Sequence, residues 1–166
     1  MSITISDVTP RVQYTAANTQ TTFAVGFEFF TNADLKVFAG NTQLTFAATP
    51  ANAAQYSVAG AGVSGGGSIT LGGASTNGVI YTIFRDMAVA RSTDFPTSGA
   101  FQIGSLNTEL DRFTAIAADL NDKANRAIQT TDYDTAVSVT LPVVATRKGK
   151  VLAFNASTGA VEAGPS

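Results

Sequence analysis

The acidic side chains are the residues here that could do chemistry, because the chain has no Cys and no His. Without His it lacks the commonest general base, the usual catalytic triads and most zinc sites. Six of the nine aspartates are scattered outside the helical region, mostly beside turn-forming residues: Asp7, Asp34, Asp86, Asp94, Asp132 and Asp134. Such positions favour turn and capping roles over a catalytic pair. We therefore expect a protein that is not an enzyme, with no catalytic residue and no metal ligand.

The run GAGVSG at residues 60–65 has the spelling of a dinucleotide-binding loop, with Asp86 downstream. That chemistry requires a helix to begin at the loop, so that its N-terminus faces the pyrophosphate. Two further glycines and a strand-like run at 68–71 follow instead of a helix. We interpret the run as a loop between strands and expect no cofactor.

Charge is low and balanced, with 10 basic and 12 acidic residues and charged residues at 13% of the 166. Nothing forms the basic stripe that a phosphate backbone requires, so we expect no nucleic-acid partner. No apolar run approaches the roughly 18 residues that span a bilayer, which predicts no membrane insertion. The N-terminus lacks a signal-peptide pattern, so we expect synthesis in a cytoplasm.

Residues 1–100 alternate between apolar and polar positions in the manner of short strands. Phe23, Val25, Phe27 and Phe29 share one face and are candidate core residues, whereas Phe30 points the other way and is a candidate interface anchor. Further strands are predicted by this pattern at 35–38, 43–46, 56–58, 68–71 and 79–85. We expect an antiparallel β-sandwich or small barrel over this domain.

The period changes over residues 103–129, where apolar residues recur at alternating steps of three and four. We call these positions the seam: Ile103, Leu106, Leu110, Phe113, Ala117, Leu120, Ala124 and Ala127. They predict a coiled-coil helix within a domain at residues 101–130. The seam could pack on the chain's own β domain or on other copies of the chain. The strict period favours copies, and the flanking Ile116 and Ile128 favour more than two strands.

Polar residues support the same helix. Ser105 is a candidate N-cap, and Asp119 with Lys123 forms an acid-to-base pair four residues apart, as does Asp122 with Arg126. The adjacent charges of Arg85 and Asp86 are expected to form structural ion pairs across strands or chains.

Residues 131–166 return to a β pattern, with a strand predicted at 136–141 and a hairpin formed by 151–154 and 160–162. A segment with so few strands is hardly stable on its own in water. We therefore expect it to pack on other protein and to lead to a shaft or linker. The predicted fold is therefore mainly β with one long α-helix: a β domain, a trimeric coiled-coil helix and a short C-terminal β segment.

A set of short segments occurs in a characteristic order along residues 10–130: RVQYTA at 11–16, QTTFAVGFEF at 20–29, LKVF at 35–38, YSV at 56–58, GSITL at 67–71, GVIYTIFR at 78–85, DFP at 94–96, GAF at 99–101 and LNTELDRF at 106–113. Each segment is ordinary alone. The ordered set, ending in a heptad helix, resembles the N-terminal virion-attachment domain of tail fibres and tailspikes from short-tailed bacteriophages.

This resemblance implies a structural virion protein of the tail that anchors a homotrimeric fibre for host adsorption. Its β domains would dock on the phage tail tube, nozzle or adaptor proteins, and the helix would gather three chains into the fibre axis. Residues 149–161 are similar to the segment that leads to a shaft, beyond which a distal fibre or receptor-binding protein would follow.

Two other functions remain open from the sequence. A carbohydrate-binding or depolymerising module of a tailspike would need an exposed cluster of aromatic and carboxylate residues in the β region. A trimeric coiled-coil adhesin of a bacterial surface would need export, which the N-terminus does not indicate.

Overall fold

A computed structural model describes residues 3, 5, 6, 9–90, 102–131 and 138–166. Its elements are β1 (Arg11–Thr15), β2 (Thr22–Val25), β3 (Leu35–Ala39), β4 (Thr42–Gln43), β5 (Thr45–Phe46), β6 (Gln55–Ala59), β7 (Gly67–Leu71), β8 (Ile80–Arg85), α1 (Ile103–Asn125), α2 (Val144–Arg147), β9 (Leu152–Phe154) and β10 (Val161–Ala163). The expectation of a mainly β protein with one long helix is confirmed. The chain divides into two compact units, Met1–Lys123 and Ala124–Ser166.

The first unit contains two four-stranded sheets, with strand orders β1-β8-β3-β4 and β2-β7-β6-β5. Every pairing is antiparallel except the short parallel pair of β5 and β6. Side chains from both sheets meet in one apolar cluster, in which Phe23, Val37, Ile69 and Ile83 are at most 1% exposed. Neither sheet closes on itself within the described residues.

The chain crosses between the two sheets at Leu44. The sequence predicts one strand over 43–46, but β4 belongs to the first sheet and β5 to the second. Leu44 separates them, is 6% exposed and belongs to the shared core, while its N–H bonds to the Val37 carbonyl at 2.8 Å. Burial of one leucine side chain therefore coincides with the crossing and interrupts the predicted strand.

Phe27 and Phe29 are buried, as predicted, but they do not lie in a strand, because β2 ends at Val25. The backbone here bonds to the glycine-rich loop at residues 60–66 instead of to a neighbouring strand. The Gly62 N–H donates to the Phe29 carbonyl at 2.9 Å. The strand prediction was therefore too long, while the core prediction is confirmed.

Gly66 lies where no side chain fits. A Cβ there would overlap the Val25 carbonyl oxygen and lie 2.6 Å from that of Phe27, and its φ is +86°. We expect Gly66→Ala to lower the free energy of unfolding by at least about 2 kcal/mol, from backbone strain and overpacking together. Gly65→Ala is the matched control, because Gly65 has φ +89° but open space around its Cβ. Urea unfolding of both variants measures the difference, and equal losses would contradict this account.

Glu28 connects the same loop to the N-terminal segment through hydrogen bonds. Its carboxylate is 3% exposed and accepts hydrogen bonds from the Ser6 hydroxyl at 2.7 Å and the Gly65 N–H at 3.2 Å. Burial alone raises the pKa of Glu28, but the hydrogen bonds from Ser6 and from nearby backbone N–H groups outweigh it and lower the pKa below 4.5. The ionised carboxylate is therefore the form that the folded chain stabilises.

A lowered pKa makes this stabilisation depend on pH. It is complete above the unfolded value of 4.5 and is lost as the pH falls through the folded pKa. We expect Glu28→Gln to be about 1–3 kcal/mol less stable than the wild type at neutral pH. That gap should shrink as the pH falls below about 4.5 and through the folded pKa, measured by urea unfolding at each pH. A gap independent of pH would show that Glu28 acts only by packing.

The second unit contains the predicted C-terminal hairpin, which is confirmed. β9 and β10 pair antiparallel, with Phe154 opposite Val161. The turn is held by Asn155, whose side-chain oxygen accepts the N–H groups of Ser157 and Thr158, each at 3.0 Å. The strand predicted at 136–141 begins outside the described residues, and its described part, 138–141, is not a strand. Asp7, Asp94, Asp132, Asp134 and the DFP and GAF segments also lie outside the described residues.

Candidate assembly interface

Helix α1 begins two residues before the predicted N-cap and ends before residue 129. The Gln102 carbonyl accepts the N–H groups of Ser105 and Leu106 at 3.1 and 3.2 Å, so Ser105 lies inside the first turn and the N-cap prediction was wrong. At the other end, the Gln129 side chain donates to the Ala124 carbonyl at 2.9 Å. The same carbonyl also accepts the Ala127 N–H at 2.9 Å, in a turn that follows the last helical residue. Ala127 therefore lies beyond the helix, in the turn that follows.

One side of the helix packs on the β domain. We call it the docked face: Glu109, Ala115, Ile116 and Asp119, which are all buried. Ala115 and Ile116 form a second apolar cluster with Met87, just after β8, and Ile5 and Phe30 pack against it. Phe30, the predicted interface anchor, is thus used inside the chain. The Arg112 guanidinium lies 5.7 Å from the centre of the Phe30 ring, a cation–π distance.

A buried ion pair lies at the centre of the docked face. Arg85, the last residue of β8, donates from Nε to the Asp119 carboxylate at 2.8 Å, and their side chains are 2% and 5% exposed. The remaining nitrogens of Arg85 donate to the carbonyls of Glu28, at 2.6 Å, and Ala115, at 3.0 Å. The second oxygen of Asp119 accepts the Met87 N–H at 3.1 Å. One guanidinium therefore joins a strand, a loop and the helix.

Burial raises the pKa of the Asp119 carboxyl above 3.8, against the opposing effects of Arg85, the Met87 N–H and Lys123. The ionised carboxylate is thus less favourable inside the protein than in water, so the pair adds little net stability even though its partners depend on each other. Beside it, Lys123 Nζ lies 2.7 Å from the Asp86 carboxylate, and both groups are well exposed.

Arg85 and Asp86 both form ion pairs, but the partners are residues of the helix in the same chain, and not of another strand or another chain as predicted. The close pair predicted between Asp119 and Lys123 is replaced by these contacts. A spacing of four identifies a possible helix pair, but it gives no information on which partner the rest of the fold supplies.

The predicted seam is on a different side of the helix and is uncovered. Its larger side chains are mostly exposed: Ile103 at 65%, Leu110 at 53%, Phe113 at 58% and Leu120 at 54%. Leu106 is partly exposed, and Ala117, Ala124 and Ala127 are exposed. At 3.6 residues per turn, the seam and the docked face are separated by about 110° around the helix axis. The helix therefore buries one face in its own chain and presents a second apolar face to solvent.

The docked face was missed by the sequence reasoning because its residues are charged or small. Glu109 and Asp119 belong to residue types that are usually exposed, Ala115 is small, and only Ile116 is apolar and large. Glu109 Oε2 and Arg112 Nε are buried with no hydrogen-bond partner within the described part of the chain. One feature of the sequence could have predicted this contact: adjacent opposite charges, Arg85 and Asp86, end a predicted strand, and the helix that follows has acidic and basic residues that could pair with them.

The run at residues 60–65, which matches the sequence of a dinucleotide-binding loop, does not form one. Residues 60–65 connect β6 to β7 as a loop, with positive φ at Gly60, Gly62 and Gly65, and a strand follows. Among the residues that the structure describes, no three acidic, His or Cys side chains cluster as a metal site, and no helix is long and apolar enough to cross a membrane. No protein-family model matches this chain, and no curated protein matches it.

Proposed function

We propose that the chain is the tail-attachment part of a homotrimeric bacteriophage tail fibre, a structural virion protein that works by assembly. The exposed seam carries this proposal. A seven-residue apolar repeat that the chain does not bury itself is the pattern that packs helices of separate chains against one another.

The position of the docked face supports the same arrangement. Since the β domain occupies a side of α1 about 110° from the seam, three parallel helices can meet through their seams with each β domain outside the bundle. Large exposed apolar surfaces of this kind are typical of protein–protein contacts. In this proposal the two sheets form a sandwich that docks on a tail tube, nozzle or adaptor protein.

The second unit fits a connecting role. A two-stranded hairpin is marginal in water on its own, and here Leu152 and Phe154 are 49% and 59% exposed. In a trimer these side chains would have neighbouring copies to pack on. A distal fibre or receptor-binding protein would then follow this unit.

Light scattering on a sizing column tests the trimer. We expect a mass of three times 17.0 kDa for the purified 166-residue chain. A mass of one chain at all concentrations would contradict the homotrimer. The phage assignment is tested separately by mass spectrometry of purified virions from the source culture. Peptides of this chain should be found in the tail fraction, and their recovery from a bacterial envelope instead would favour an adhesin.

A further inference from the structure

The two sheets of the first unit differ in the side chains on their outer faces. Because strand residues alternate and Val12, Val37 and Ile83 point into the core, their neighbours in β1, β3 and β8 point outward. We call this outward surface the cationic face: Arg11, Gln13, Lys36, Phe38, Thr82 and Phe84. The strands of this sheet contain no Asp or Glu.

Two cations flank an aromatic pair on the cationic face. Phe84 in the central strand lies opposite Arg11 on one side and opposite Lys36 on the other. The rings of Phe38 and Phe84 are stacked, with centroids 5.9 Å apart and an angle of 21° between planes. Neither cation has a carboxylate opposite it in the strand register. The face therefore has a positive charge on each side of Phe84, next to the stacked aromatic pair.

The other sheet offers no comparable surface. The outward residues of β2, β6 and β7 are uncharged and, apart from Gln55, small: Thr22, Ala24, Gln55, Ser57, Ala59, Ser68 and Thr70. Protein interfaces are enriched in aromatic residues and Arg and depleted in Ser and Ala. This comparison distinguishes the two faces as candidates for binding another protein.

We propose that the cationic face is the surface through which the β domain binds its socket, and that the socket is a protein surface with carboxylates around an apolar centre. The inference rests on the proposed attachment function and names the chemistry of its partner. Charge complementarity carries it, because the strands of this face contain two outward cations and no acids, and such a surface selects an acidic partner. The two acids that flank the strands have other partners: Asp86 pairs with Lys123, and Asp34 accepts backbone N–H groups of residues 30 and 31. The stacked phenylalanines supply the apolar contact at its middle.

A re-binding experiment tests the face. Virus particles assembled without this chain are mixed with purified protein, sedimented and assayed for the bound chain. The test variant is Arg11→Gln with Lys36→Gln. The charge-matched control is Thr22→Glu with Ala59→Glu on the other sheet, at two exposed positions. Both double variants change the net charge of −2 by two units in the same direction.

We expect the test variant to bind at least about tenfold more weakly than the wild type, and the control to bind like the wild type. Arg11→Glu with Lys36→Glu should bind more weakly still. Wild-type binding should weaken as salt is raised, and the salt dependence should be smaller for the glutamine variant. A test variant that binds normally, or a control that loses as much, overturns the assignment of this face.

The remaining outcomes distinguish a failure of the cationic face from a failure of the proposed attachment function. Wild-type chain that does not bind the particles at all counts against the attachment function itself, whereas normal wild-type binding with an unaffected test variant counts against the face alone. A lower mass of the test variant by light scattering would assign the face to contacts between copies of the chain. Competition by a short DNA duplex would assign it to nucleic acid. Either result overturns the acidic protein partner.

Discussion

Replacing Asp119 with Ala should lower the free energy of unfolding by about 3–5 kcal/mol, because it leaves the Arg85 guanidinium buried without its counter-charge. Arg85 is 3% exposed and its remaining hydrogen bonds go to two backbone carbonyls, which do not neutralise its charge. The Met87 N–H loses its acceptor as well. Urea unfolding at a fixed protein concentration, followed by circular dichroism, measures the loss.

A double variant separates a missing partner from a missing charge pair. Arg85→Met with Asp119→Leu removes both charges and fills the site with apolar side chains of similar volume. Such replacements of a buried pair are often close to neutral, so we expect it to recover at least half of the loss seen in Asp119→Ala. Complete recovery is not expected, since the Glu28 carbonyl loses its donor. A double variant as unstable as Asp119→Ala would show that specific hydrogen bonds, and not charge balance, hold the helix.

The second large effect concerns assembly. Leu110→Asp combined with Phe113→Asp should convert the proposed trimer into single chains, because each substitution would place three carboxylates in one apolar layer of the bundle. Since Leu110 and Phe113 are 53% and 58% exposed in the single chain, the β domain should keep its fold. Light scattering reports the mass, and near-ultraviolet circular dichroism reports the tertiary structure around the aromatic residues.

Gly104→Asp is the matched control for assembly. Gly104 lies in the first turn of the same helix, away from the seam, and a Cβ there meets nothing within 4 Å. An aspartate near a helix N-terminus is mildly stabilising, so this variant should keep the wild-type mass. If the double seam variant also keeps that mass, the coiled coil is wrong and another surface joins the chains.

The β strands and the helix were largely readable from local patterns, because alternation and the seven-residue repeat are properties of neighbouring positions. The strand β1 was missed as an element although Val12 and Tyr14 alternate with polar residues, since a pattern of this length is weak. The prediction that Phe27 and Phe29 are buried was correct, although the prediction that they lie in a strand was wrong. Burial follows from the apolar side chain, whereas the backbone there follows from close contact with a distant glycine loop.

Of the two faces of the helix, the sequence predicted the seam but not the docked face. The seam follows from spacing, and the structure leaves it exposed. The docked face does not follow from spacing, because two of its four residues are charged and its central contact joins Asp119 to Arg85, which is 34 positions away in the sequence. A charged pair becomes a core contact only when the fold removes water from both members, and that depends on the whole tertiary arrangement.

The attachment of the helix to β8 also has a mechanical consequence. A pull on α1 reaches the β domain in part through Arg85, at the end of a strand bonded to β1 along Ile80–Phe84 and to β3 along Leu35–Ala39. The component of that pull directed along β8 loads its hydrogen bonds in parallel, as shear, instead of one after another. The central position of β8 therefore makes it a strong anchorage: the strand that receives the load is the one with neighbours on both sides to share it.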